Sequence, residues 1–114
     1  MNHYALLADR VWDGVADEAQ AGVAVVVCGD RIAQVMTGHQ LSPSLPRVEL
    51  PGCTLMPGLM DAHVHYSAVM GPAFLAAGVT TIRDVGNDLA WILRQREMNA
   101  ADMARGPGIV CCGH

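Results

Sequence analysis

Hydrophobic and polar residues follow one pattern before residue 52 and another after it. In the first part, short runs rich in β-branched residues alternate with turn residues, as in VAVVVC and RIAQVM on either side of Gly29-Asp30. A Gly-Asp pair between two such runs is typical of a β-hairpin. We therefore predict a small antiparallel sheet over residues 1–52, with this hairpin as its clearest element and RVEL as its last strand.

After residue 52, strand-like and helix-like segments alternate. CTLM leads into DAHVHY, a short helix is predicted around PAFLAA, GVTTIRDV is a strand, a longer helix covers residues 88–104, and GIVCC is a further strand. Asn87 or Asp88 is placed to cap the longer helix, and Gly106-Pro107 to end it. This β-α-β-α-β order favours parallel strands joined by crossover helices, so residues 53–114 are predicted to be α/β.

Composition and charge exclude several classes of protein. The chain has 114 residues, 52% hydrophobic and 16% charged, with a net charge of -4, which does not fit a disordered or nucleic-acid-binding protein. The longest clean apolar run, VAVVVC, is too short to span a bilayer. The four cysteines show neither CxxC pairs nor the spacing of a disulfide framework. We expect a cytoplasmic protein with no nucleic-acid or membrane partner.

The stretch LMPGLMDAHVHY ends in polar residues that suggest a metal site, because Asp61, His63 and His65 are spaced two apart. On a strand, these three side chains would line one side and Val64 the other. Two imidazoles at this spacing can bind one metal ion, and neutral imidazole suits zinc, iron or manganese. A catalytic zinc needs about three protein ligands and a water. The alternative is a polar strand end without a metal. The other histidines, in no comparable context, are His3, His39 and His114.

The segment TLMPGLMDAHVHY resembles the signature of the amidohydrolase superfamily, in which Pro-Gly, two hydrophobic residues and Asp-x-His-x-His close the first strand of a metal-dependent hydrolase barrel. AAGVTTIRDVGN is similar to the next helix end and second strand, GPGIVCCG to the third strand, and GDRIAQV to a hairpin of the accompanying small β-sandwich. The resemblance implies the N-terminal part of a (β/α)8 TIM-type barrel, with about three strands. The barrel part would cover residues 53–114, and a small antiparallel β-sandwich portion residues 1–52. TTIRDVG is most similar to the imidazolonepropionase-like and Xaa-Pro dipeptidase-like branch.

The resemblance also implies a chemistry, in which a metal-activated hydroxide hydrolyses amide or peptide C-N bonds. His63 and His65 would hold a divalent metal, with zinc as the first choice, and the complete enzyme would hold one or two ions. The family's remaining ligands are a lysine, two histidines and an aspartate on later strands, whereas this chain contains no lysine. We therefore expect an N-terminal fragment that contains no catalytic residue of its own and is inactive alone.

Two kinds of partner follow from these alternatives. A completed hydrolase would bind a small-molecule amide or peptide, and it would be a homo-oligomer or include a complementary chain. The second hypothesis is a non-catalytic remnant or assembly subunit, because the exposed edge of an incomplete barrel can pair with another chain.

Four further residues have both a functional and a structural interpretation. Asp61 is expected to orient a metal-bound imidazole, or else to be a polar residue at a strand end. Arg83 and Asp84 end the second strand of the predicted barrel part, so they either face the pocket or pair with each other or a neighbouring loop. Tyr66 follows the second histidine directly, and it either touches substrate or connects two elements.

Overall fold

The computed structural model describes residues 3–112, which have a mixed α/β fold. The chain separates into two compact units, the first ending at Pro57 and the second beginning at Gly58. The strands of the first unit are β1 (His3–Val11), β2 (Gln20–Ala21), β3 (Val23–Cys28), β4 (Arg31–Thr37) and β5 (Arg47–Leu55). The second unit contains β6 (Leu59–Val64), α1 (Gly71–Ala76), β7 (Val79–Asp84), α2 (Leu89–Ala100) and β8 (Gly108–Cys111). Two short 3-10 helices lie at Gly38–Gln40 and Ala68–Met70.

The first unit is one mainly antiparallel sheet with strand order β2-β1-β3-β4. The predicted hairpin is present, because β3 and β4 pair antiparallel on either side of Gly29-Asp30. Gly29 has a φ of 63°, a conformation that glycine adopts without a steric penalty. The core of this unit contains Ala5, Ala24, Val26 and Leu41.

The last strand of the first unit corrects two details of the sequence prediction. β5 pairs parallel with β1, so this sheet is not purely antiparallel. It also continues through Leu55, because Thr54 and Leu55 pair with Arg10 and Val11. The segment CTLM, predicted to lead into the histidine-bearing strand, therefore lies largely in the first unit's sheet. The predicted boundary between residues 52 and 53 falls within β5, whereas the compact units divide after Pro57.

The second unit has the predicted β-α-β-α-β order. Its parallel sheet has the strand order β6-β7-β8, and α1 and α2 connect successive strands. Helix α2 is shorter than predicted, because it ends at Ala100 and Asp102 adopts a left-handed φ of 54°. Of the two predicted caps, Asp88 is the one used, and its side chain accepts a hydrogen bond from the Trp91 N–H.

The second unit's core lies on the helix-covered side of the sheet, and its buried members are Val64, Tyr66, Ile82, Ile92 and Ile109. Parallel strands end at the same edge of a sheet, so the residues after β6 and β7 lie side by side. None of the helices within residues 3–112 combines the length and the apolar composition that a membrane span requires.

Candidate metal centre

His63 and His65 lie at the carboxyl end of β6 and are both exposed, whereas Val64 between them is 8% exposed and belongs to the core. The centroids of the two imidazole rings are 5.7 Å apart, with an angle of 71° between the ring planes. The two rings are therefore near neighbours on the side of the strand opposite Val64. Neutral imidazole is the commonest side-chain ligand for borderline metal ions.

The pairing of β6 with β7 is irregular between Asp61 and Val64. Asp61 pairs with Ile82, and Val64 pairs with Asp84, so β6 has one more residue than β7 between these two pairs. A one-residue change of register moves a side chain to the other face of a sheet. Strict alternation therefore does not fix the face of Asp61 relative to the histidines, and its place beside them stays a prediction.

The contacts around this irregularity show what Asp61 and Arg83 do. The Asp61 Oδ1 atom accepts a hydrogen bond of 3.1 Å from the backbone N–H of His63, so this carboxylate contacts the His63 main chain. The exposed Arg83 donates from its Nε to the Ala62 carbonyl at 2.8 Å. Both side chains thus bind backbone groups of the segment that leads into the histidines.

Asp84, at the end of β7, is 1% exposed, and its carboxylate accepts four hydrogen bonds. The donors are the backbone N–H groups of Tyr66 at 2.7 Å, Gly86 at 3.2 Å and Asn87 at 3.0 Å, and the Asn87 Nδ2 at 2.5 Å. Burial alone would raise the pKa of Asp84, but the hydrogen bonds from Tyr66, Asn87 and Gly86 outweigh it, and the pKa is lowered. Asp84 is therefore a buried carboxylate that binds neighbouring loops, which is the second of its two predicted roles.

Asn87 completes the link between the two loops. Its Nδ2 also donates to the Tyr66 carbonyl at 2.9 Å. The segment after β6 is thus joined to the segment after β7 through both Asp84 and Asn87. The sequence predicts Asn87 only as a helix cap, although an Asn three residues after an Asp at a strand end is a signal for such a network.

The side chain of Tyr66 lies in the core and not in a pocket. It is 4% exposed, and its ring packs against Phe74, with centroids 6.2 Å apart, and Trp91, at 6.3 Å. Its hydroxyl accepts a hydrogen bond of 3.4 Å from the Asn99 Nδ2. The sequence interpretation of Tyr66 as a substrate contact finds no support in this position, because the residue after His65 points to the opposite side of the sheet.

Gly86 is a further residue at this edge, and sequence analysis did not single it out. A β-carbon built on Gly86 would lie 2.7 Å from both the Cε1 and the Nδ1 of His65. The His65 ring therefore occupies the space that a side chain at position 86 would need.

Arg83 also lines a shallow cavity of about 190 Å³. The other lining residues are Met60, Asp61, Ala62, Thr81, Ile82 and Val110. Within residues 3–112, no three side chains of His, Cys, Asp or Glu form a group that could hold a metal ion. The available donor set at the strand edge is therefore the pair His63 and His65.

The chain is similar to a deaminase in sequence and to hydrolases in structure. No protein-family model matches the chain. It is 36% identical to adenine deaminase from Shigella flexneri serotype 5b in an alignment 87 positions long, and this alignment covers 67% of this chain and 15% of the deaminase. Among solved structures, it is similar to a Xaa-Pro dipeptidase with bound methionine, with a TM-score of 0.85 and 24% identity over 98% of this chain and 33% of the dipeptidase.

Two more solved structures have the same fold. Molinate hydrolase matches with a TM-score of 0.84 and 22% identity, over 97% of this chain and 30% of that protein. A structure described as an amidohydrolase matches with a TM-score of 0.83 and 20% identity, over 99% of this chain and 32% of that protein. The chain belongs to the amidohydrolase superfamily.

This amidohydrolase-superfamily chain spans only part of the proteins it matches, namely 15% of the adenine deaminase and 30% to 33% of the three solved structures. The mixed α/β fold is shared over nearly all of this chain. The names of the similar proteins are those of a deaminase and of hydrolases.

Proposed function

We propose that the chain forms the first part of a metal-dependent hydrolase that cleaves amide or peptide C-N bonds. The observation that carries this proposal is the pair of exposed imidazoles, His63 and His65, at the carboxyl edge of a parallel sheet. In (β/α)8 barrels, active sites lie at this edge. We assign the second unit to the first three strands of such a barrel and the first unit to the small β-sandwich that accompanies the barrel in this superfamily.

The two imidazoles fit a divalent metal ion in the chemistry of their nitrogen donors. His63 and His65 would hold the ion. Zinc is the first choice, because imidazole is a good ligand for zinc and hydrolysis does not require a redox-active metal. When bound, the ion would lower the pKa of a water molecule and polarise the substrate carbonyl. The remaining ligands would come from parts of the hydrolase outside these residues.

The residues of this chain would hold the two ligands in place. Asp61 fixes the backbone N–H of His63, and Asp84 fixes the peptide N–H that follows His65. These contacts fix the main chain at and after the two histidines, and a fixed main chain helps to hold the imidazoles in position for a metal ion. Because the chain contains no lysine, a lysine-bridged pair of ions would require a lysine from elsewhere, and we propose that these 114 residues alone are inactive.

The branch of the superfamily is part of the same proposal. The segment TTIRDVG and the likeness to a Xaa-Pro dipeptidase both favour a substrate with an amide or peptide bond. The relationship to adenine deaminase favours a different C-N bond, so amide, dipeptide and aminopurine substrates should be screened together.

Replacing both histidines tests the proposal. In the complete protein that contains this segment, His63→Ala with His65→Ala should weaken zinc binding by more than about 100-fold, beyond the loss that follows removal of an outer contact. Metal content by elemental analysis and zinc affinity by chelator competition measure the effect. Circular dichroism should show an unchanged fold, because both side chains are exposed.

The matched control is His39→Ala, since His39 is also exposed but lies in the short 3-10 helix of the first unit. This variant should retain its metal. Stoichiometric zinc in the double variant would contradict the ligand assignment, and a complete protein without any metal would favour the non-catalytic alternative.

A further inference from the structure

The backbone of Gly86 gives no reason for a glycine at this position. Gly86 is not among the described glycines with a positive φ, which are Gly14, Gly22, Gly29, Gly52 and Gly78. Any L-residue can therefore adopt the local backbone conformation. The space around its α-carbon, in contrast, is restricted.

That space is filled by the ring of His65. A β-carbon on Gly86 would lie 2.7 Å from the Cε1 and 2.7 Å from the Nδ1 of this ring. The clash falls on the far end of an exposed side chain, and not on backbone or core atoms. An alanine at position 86 would therefore turn the His65 ring aside and leave the fold nearly unaffected.

The distance between Gly86 and His65 is itself fixed by a buried group. Asp84 accepts hydrogen bonds from the Gly86 N–H at 3.2 Å and from the Tyr66 N–H, the peptide group that follows His65, at 2.7 Å. One carboxylate thus holds the main chain on both sides of the ring contact. Because Asp84 is 1% exposed, water does not compete for these hydrogen bonds.

We infer that Gly86 is a positioning residue, whose missing side chain forms the seat that orients the His65 imidazole for metal binding. This inference rests on the proposed function, because the orientation of the His65 ring matters for metal binding only if His65 is a ligand. The orientation of an imidazole decides where its nitrogen lone pairs point, so a turned ring presents its donor in the wrong direction. Gly86 acts through His65 and contacts neither metal nor substrate.

The test compares two glycine-to-alanine variants of the full 114-residue chain. Gly86→Ala is the test variant. Gly58→Ala is the control, because a β-carbon there would lie 2.0 Å from the Oγ1 and 2.8 Å from the Cβ of Thr80, at the opposite end of β6. Zinc affinity is measured by chelator competition, the melting temperature by circular dichroism, and the apo-state imidazole signals by long-range proton-nitrogen correlation spectra.

We expect Gly86→Ala to shift the His65 ring signals in the apo chain and to weaken zinc binding by about 10-fold, with a melting temperature close to that of the wild type. Gly58→Ala should lower the melting temperature and leave zinc affinity and the His65 signals unchanged. Opposite effects of the two variants would separate positioning from stability. Unchanged His65 signals and unchanged affinity in Gly86→Ala would overturn the inference.

Two further results separate this inference from the proposed function. If the wild-type chain binds no zinc but Gly86→Ala still shifts the His65 signals, the positioning role of Gly86 is supported by itself, and the metal function is decided by the double-histidine variant of the complete protein. If Gly86→Ala does not fold, the wild-type chain decides the question. A nuclear Overhauser effect between the Gly86 α-protons and the His65 Hε1 supports the seat, and its absence overturns it.

Discussion

The two sides of the strand end at residues 63–66 are built differently. On one side, the imidazoles of His63 and His65 are exposed and adjacent. On the other, the Asp84 carboxylate is buried, and its hydrogen bonds join the segments that follow β6 and β7. The exposed side carries the groups that can bind a ligand, whereas the buried side fixes where they stand. The position of the exposed imidazoles thus depends on the hydrogen bonds of the buried Asp84 carboxylate.

Removing the buried carboxylate should have the largest effect. Asp84→Ala leaves its backbone and side-chain donors without an acceptor in the core, and should lower the free energy of unfolding by about 3 kcal/mol or more. Urea denaturation of the chain measures this loss. Asp61→Ala is the matched control on the exposed side, because Asp61 accepts one backbone hydrogen bond in solvent, and its loss should be below about 1 kcal/mol. Equal losses in the free energy of unfolding for the two variants would contradict the view that the buried carboxylate stabilises the strand end more than the exposed one.

Acid should remove part of the same stabilisation. The folded-state pKa of Asp84 is lowered, because the hydrogen bonds outweigh the desolvation that raises it. Its contribution is therefore complete above the unfolded pKa of about 3.9, and is lost as the pH falls further through the folded-state pKa.

Comparing the wild type with Asp84→Asn isolates the pH-dependent contribution of the Asp84 carboxylate to stability. Urea denaturation of both proteins is run near pH 7 and near pH 3. The difference in the free energy of unfolding should shrink at the lower pH. Asp13, whose pKa is lowered by the backbone N–H groups of Ala16 and Val15, is present in both proteins and cancels. A difference that grows in acid would show that Asp84 is not held as a carboxylate.

A smaller effect is expected from the acidic residue that follows the network. Asp88 caps α2 through a hydrogen bond of 2.9 Å from the Trp91 N–H and is exposed. Asp88→Ala should lower the free energy of unfolding by about 1 kcal/mol, the usual value for a helix cap, with the imidazole signals of His65 unchanged. A shift of those signals would mean that the cap is coupled to the metal-binding edge.

Much of the fold could be predicted from the sequence, because it depends on local patterns. The hairpin around Gly29-Asp30 and the β-α-β-α-β order of the second unit are such patterns. The parallel pairing of β5 with β1 is a long-range contact that no local pattern encodes. The early end of α2 was missed because Asp102 adopts a left-handed conformation that few residues other than glycine favour.

The candidate site was predictable only on its exposed side. His63 and His65 stand out by their spacing in an apolar strand. The burial of Asp84 and the seat at Gly86 depend on which groups the fold brings together, and neither is visible along the chain. Buried polar residues in α2 show the same limit, since Gln95 and Asn99 are each 8% exposed although their types predict a surface position.

The irregular pairing between β6 and β7 is confined to a short stretch of the sheet. The register shifts once between Leu59 and Met60 and again between Asp61 and Val64, and the second shift reverses the first. Val64 and Asp84 therefore pair with the same offset as Leu59 and Val79. The two register shifts cancel, so among the paired residues of β6 only Met60 and Asp61 are displaced by one position relative to β7. The two histidines therefore flank a residue, Val64, that pairs in the same register as the first residue of the strand.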